Sequence, residues 1–277
     1  MTTIPTALRT AGSLGVPGAR LHYEVRGSGP VVVLVGAPMG ADAFAPLADL
    51  LAGDHTVVTT DPRGVGRSPV DDPEQDSTPE LRADDLSRLL THLGAGPAVA
   101  LGSSGGAVTV LALAQAHPEQ VSTVIAHEPP VNELVPDHER LRAGTERIIA
   151  TYLVQGSGPA WAEFMRVADI VVPEGEQPPP VSHPAEPDPQ AVADERHFFL
   201  HELRGTTRFH PDVDALRAGS PRIVVGIGET SAGELCDRTS RALAAQLGIE
   251  PTMFPGSHIG FVENPSVFTA RLREVLD

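Results

Sequence analysis

The stretch Ala98-Val99-Ala100-Leu101-Gly102-Ser103-Ser104-Gly105-Gly106-Ala107 decides the reading of this chain. Its apolar start suits a buried strand, and the run from Ala107 to Ala116 suits a helix. Between them stands G-x-S-x-G with Ser104 at its centre. A strand, a sharp glycine turn and a helix form the context in which a serine side chain projects from the edge of a sheet. Gly102 and Gly106 carry no Cβ and let strand and helix come close. A flexible Gly/Ser loop has the same composition, so the surrounding pattern must carry the argument.

That pattern is an alternation. Leu21 to Val25 alternates apolar and polar residues. Val31 to Val35 is a continuous β-branched run, as expected of a strand covered on both faces. Ala41 to Ala52 reads as helix, His55 to Thr60 as strand, and Pro79 to Leu93 as amphipathic helix. Beyond Ser104 come a strand from Val121 to Ala126 and another from Arg222 to Ile227. A helix from Gly233 to Leu247, a strand from Glu250 to Phe254 and a helix from Pro265 to Leu276 complete the series. The implied fold class is α/β, a mostly parallel sheet with helices on both faces. The middle of the chain breaks the rhythm. Helical patterns at His138 to Val154, Pro159 to Ala168 and Asp188 to Leu203 occur with no buried strand. Between the last two, Val172 to Pro189 is rich in proline and acidic residues and reads as a mobile loop. The expected organisation is a core of residues 1–131 and 218–277 with an inserted helical cap at 132–217.

Composition narrows the function. The chain has 277 residues and a formal net charge of −16, which argues against nucleic acid or an anionic membrane surface as partner. All basic residues are Arg. Cys236 is the only cysteine, so an internal disulfide is ruled out, and on a helical pattern it reads as packing. Met1 to Gly15 lacks a secretory pattern, and no apolar run suits a membrane span. A cytoplasmic protein acting on a small molecule is expected, with homo-oligomerisation left open.

Four landmarks together resemble the α/β-hydrolase superfamily: Gly36-Ala37-Pro38, the loop Asp61-Pro62-Arg63-Gly64-Val65-Gly66-Arg67-Ser68, the turn at Ser104, and Gly256-Ser257-His258. The resemblance covers nearly all of the chain outside the middle. It implies that Ser104 is a nucleophile and that His258, after the last strand, is its base. It also implies that the backbone N–H groups of Ala37 and Gly105 form an oxyanion hole. The acid departs from the usual pattern. Where the family commonly has Gly-x-x-Asp, this chain has Gly228-Glu229-Thr230-Ser231, and Ser231 carries no charge. Glu128, after the strand Val121 to Ala126, is the favoured replacement. Some haloalkane dehalogenase-like members place their acid after this strand. Glu229 is the alternative acid, and Glu234 and Asp237 stay open behind it.

These residues describe a serine hydrolase that cleaves an ester, lactone or thioester and needs no cofactor. The same set also serves C–C hydrolysis, acyl transfer or perhydrolysis, and a non-catalytic binding protein could keep the fold. Epoxide hydrolases and dehalogenases use a carboxylate nucleophile, which Ser104 is not. Asp61 and Arg63 are expected to fix their loop. His197 and His201, four apart on one helical face, read as a face lining the pocket or lying beside it, with no metal site expected. Trp161, Phe198 and Phe199 read as core of the inserted helices, and His127 as a structural hydrogen-bonding residue.

Overall fold

The computed structural model describes residues 9–170 and 188–276. The expected loop from Val172 to Pro189 lies almost wholly outside them. Eight strands form one sheet in the order β1-β2-β4-β3-β5-β6-β7-β8. β1 (Arg9–Val16) and β2 (Ala19–Arg26) pair antiparallel, as do β2 and β4 (Thr56–Thr60). β3 (Val31–Val35) lies parallel between β4 and β5 (Ala98–Ser103). β6 (Val121–His127), β7 (Arg222–Gly228) and β8 (Thr252–Phe254) extend the parallel part. β1 is an element the sequence reading left out, because Arg9–Val16 is polar and glycine-containing and forms an edge with little burial.

The central strands are hydrophobic on both faces because both are covered. On β3, Val33 and Val35 face a core shared with α2 (Pro79–His92) and α3 (Gly105–Ala116). Val32 and Leu34 face the opposite core, with α1 (Ala45–Leu51) and α11 (Pro265–Leu276). This period-two division is what a doubly covered strand requires. Thr78 caps α2 by accepting from Leu81 N, and Pro79 opens its first turn.

Between β6 and β7 the chain is helical: α4 (His138–Gln155), α5 (Ser157–Val167), α6 (Pro189–His197), α7 (Leu203–Thr207) and α8 (Val213–Ala218). A π-helical turn, Phe198–Glu202, joins α6 to α7. α4, α5, the π-helical turn and α7 share a separate core in which Leu141, Ile148, Phe199 and Leu203 are buried together. After β7 come α9 (Leu235–Leu247) and, beyond β8, the short α10 (Gly260–Glu263). α10 stands between His258 and α11, where the sequence reading had only a loop.

The loop Asp61–Ser68 ties these parts together. Asp61 accepts from the backbone N–H of Ala41 and of Arg67 at 2.7 and 2.9 Å. Arg63 pairs with Asp85 through two hydrogen bonds, both groups being buried. Gly66 N–H donates to Asp194 of α6.

Among the described glycines, the one with least room for a side chain sits under the Ser104 turn. A Cβ on Gly106 would lie 2.0 Å from the carbonyl oxygen of Val35, and one on Gly102 would lie 2.2 Å from that of Gly106. Backbone cannot yield there as a flexible side chain can. Gly106→Ala is therefore expected to lower the free energy of unfolding by about 3 kcal/mol, measured by urea denaturation at neutral pH. A loss of a few tenths would contradict this packing.

Candidate active site

Ser104 follows β5 and precedes α3. Its backbone has φ 57° and ψ −125°, a conformation that non-glycine residues seldom adopt. Its N–H donates to the carbonyl of His127 at 3.0 Å, so the sheet ladder holds the strained residue in place. Gly105 opens α3, and its N–H belongs to the first turn, which has no intrahelical partner. Ala37, directly beyond Gly36, approaches it closely: a Cβ on Gly105 would meet Ala37 O at 2.7 Å.

Glu128 occupies the equivalent position after β6. It too has positive φ, 52°, and its N–H donates to Gly226 O at 3.0 Å. The side chain is fully buried. One carboxylate oxygen accepts from Gly228 N–H at 2.7 Å, and the other lies 2.5 Å from His258 Nδ1. Burial pushes this carboxyl up, but the hydrogen bond and charge of His258 outweigh it and bring it down to about 2. The Ser231 hydroxyl, buried beside it, adds to the lowering without a hydrogen bond of full geometry. Burial alone would lower the imidazole of His258. Cys236 and Glu128 act the other way and hold it well above 6.5.

The remaining candidates lie elsewhere. Glu229 is exposed, and only its backbone is engaged, donating to Phe254 O. Asp237 accepts from Gly233 N–H and from Arg241. His127 is buried against Phe254 and Phe268, with Nδ1 at 3.1 Å from Ser103 Oγ. Burial pushes it down to about 4, so it is neutral at physiological pH. His197 is buried beside Gly64, and His201 Nδ1 lies 3.2 Å from Asp76, so neither lines the central cavity.

That cavity, of about 250 Å³, is lined by Ala37, Ser104, Gly105 and His258 on the sheet side. Ile148, Trp161, Phe164, Phe198 and Leu203 close it from the helices between β6 and β7. Phe199 packs away from it in their core. Asn132 and Glu202, to which the sequence reading assigned no role, also line the cavity, as do Glu234, an acid candidate, and Cys236, which the sequence reads as packing. A usable signal existed for Glu202, which stands three and four residues after Phe199 and Phe198 and so shares their inward face. Cys236 carried no such signal. Among the described residues, the one group of three metal-ligand types is Glu128, Cys236 and His258, whose ligand atoms lie within 4.8 Å of one another.

Comparison with known proteins agrees with this fold. The family model for the alpha/beta hydrolase fold matches residues 29–243. This chain belongs to the α/β-hydrolase family. It is 34% identical over 271 residues to the uncharacterized hydrolase YraK of Bacillus subtilis (strain 168), covering 96% of each chain. It is 28% identical to a zearalenone hydrolase of Bionectria ochroleuca, covering 94% of this chain and 96% of the relative. A thermophilic esterase from Thermogutta terrifontis has the same fold, with TM-score 0.72 and 21% identity over 98% of both chains. The protein is a hydrolase.

The Glu128–His258 contact has a measurable titration. Its stabilising effect is full between the ordinary values of the two groups, 4.5 and 6.5. It is lost as pH falls through the lowered carboxyl value, and again as pH rises through the raised imidazole value. NMR titration of His258 is expected to show a midpoint above 6.5 that drops by at least one unit in Glu128→Gln. An unchanged midpoint would contradict the coupling.

Proposed function

We propose that this hydrolase cleaves an ester, lactone or thioester of a small, largely apolar molecule through an acyl-enzyme. The observation that carries the reading is the buried carboxylate of Glu128 on Nδ1 of His258, with His258 and the strained Ser104 facing one cavity. Serine is a weak nucleophile at neutral pH and needs a base. Neutral His258 takes the proton of Ser104 Oγ as the oxygen attacks the carbonyl carbon. Glu128 holds the ring with Nδ1 protonated and stabilises the imidazolium that forms. The oxyanion is met by the N–H groups of Ala37 and Gly105, each worth about 3 kcal/mol in the transition state. His258 then returns the proton to the leaving oxygen or sulfur. Water, deprotonated by His258, attacks the acyl-enzyme. The carboxylic acid departs and Ser104 regains its proton.

The helices between β6 and β7 act in this reading as a cap that supplies the apolar wall for the substrate. The zearalenone hydrolase relative supports hydrolytic chemistry on an organic small molecule. The esterase neighbour supports the fold alone.

Because the base must be neutral, kcat/KM is expected to rise with pH through a single ionisation above 6.5. A fluorophosphonate probe should label the wild type at Ser104. Ser104→Ala should lower turnover of p-nitrophenyl esters by about 10⁶, and Glu128→Gln by about 10⁴. A wild type that is not labelled and turns over no ester would overturn the reading. Full activity in Glu128→Gln would remove that residue from it.

A further inference from the structure

Glu202 is an unusual wall for an apolar cavity. It lies on the π-helical turn between α6 and α7, is 1% exposed and lines the cavity. Its Oε2 has no hydrogen-bond partner among the described residues. A buried carboxyl oxygen left without a partner is costly, and a ligand or water group can supply the missing bond.

Arg82 is the positive charge that acts on Glu202, yet it does not serve as the hydrogen-bond partner. All three of its nitrogens donate elsewhere: Nε to Thr109 at 2.9 Å, one terminal nitrogen to Ser77, the other to Thr206 at 2.9 Å. No ion pair joins Arg82 to Glu202. Burial pushes the Glu202 carboxyl up, with the charge of Arg82 opposing. In either protonation state a carboxyl accepts a hydrogen bond from a hydroxyl.

Thr206 fixes where this group sits. It stands four residues after Glu202, on the same helical face, and its methyl lies 3.3 Å from where a Cβ on Gly105 would be. Glu202 thus shares the cavity wall with the residue that packs on Gly105, directly after Ser104. A second unpartnered atom, Oδ1 of the buried Asn132, belongs to another residue of the same cavity lining.

We propose that Glu202 is a specificity-determining residue that hydrogen-bonds an uncharged hydroxyl carried by an otherwise apolar substrate. Its place in turnover rests on the ester-cleaving reading above. Binding at Glu202 does not, and the test therefore uses ligands that cannot be hydrolysed. The pair 4-propylphenol and propylbenzene differs by one hydroxyl. Their dissociation constants are to be measured by NMR titration on the wild type, Glu202→Leu and Glu202→Ala. The wild type is expected to prefer the phenol at least tenfold, and both variants to bring the two ligands within threefold. The absence of a preference in the wild type overturns the proposal. So does a preference that survives in either variant with a native spectrum, and the wild-type ratio decides should both variants fail to fold. Failure here with Ser104 still labelled by fluorophosphonate would leave the acyl chemistry standing. Success here with an unlabelled Ser104 would leave the binding residue and remove the chemistry.

Discussion

The parallel ladder of β5, β6 and β7 continues one step beyond the strands, and the candidate site hangs from that step. Ser104 N–H reaches back to His127 O, and Glu128 N–H to Gly226 O, both at 3.0 Å. Gly228 N–H then closes the series on the Glu128 carboxylate. Each bond pins a residue with positive φ, a conformation that costs on the order of 1–3 kcal/mol and persists only where its surroundings impose it. Two strained residues at the ends of neighbouring strands thus place a serine hydroxyl and a buried carboxylate at fixed positions. Loops of ordinary conformation would let both wander.

Electrostatics follows from that placement. Glu128 is buried and would be neutral alone; His258 keeps it ionised. His258 would lose its proton readily in an apolar wall; Glu128 and Cys236 oppose this. In contrast, His127, directly before Glu128, packs against Phe254 and Phe268, and its burial outweighs the opposing charge of Glu128, so it stays neutral. The two adjacent residues differ because His127 ends the strand while Glu128, with its positive φ, turns its side chain toward His258. The same reasoning separates Glu128 from Glu202. One buried carboxyl has a cationic partner at hydrogen-bond distance, and the other has none.

Much of this was legible in the chain itself. The fold class follows from β-branched runs alternating with helical patterns, since a strand covered on both faces has no reason to alternate. Gly-x-Ser-x-Gly between a strand and a helix predicts a sharp turn, because only glycine fits where Gly106 meets the backbone of Val35. His258 is marked by its position after the last strand. The edge strand β1 was not legible, because an edge residue needs neither burial nor apolarity. Nor was the π-helical turn at Phe198–Glu202, since i to i+5 bonding leaves no composition signal.

The sequence by itself determined the alternation of the central strands and helices, the glycine turn at Ser104 and a short set of acids for His258, because these depend on local periodicity and on steric limits within a few residues. Only the tertiary structure decided which acid meets the imidazole. Glu128 and Glu229 are both carboxylates that follow a strand, and spacing along the chain does not separate them. The backbone turn at Glu128 aims its side chain inward at 2.5 Å from His258, while Glu229 is left in solvent. Cys236 and Glu202 entered the cavity wall in the same way, through the packing of distant helices over the ends of the strands.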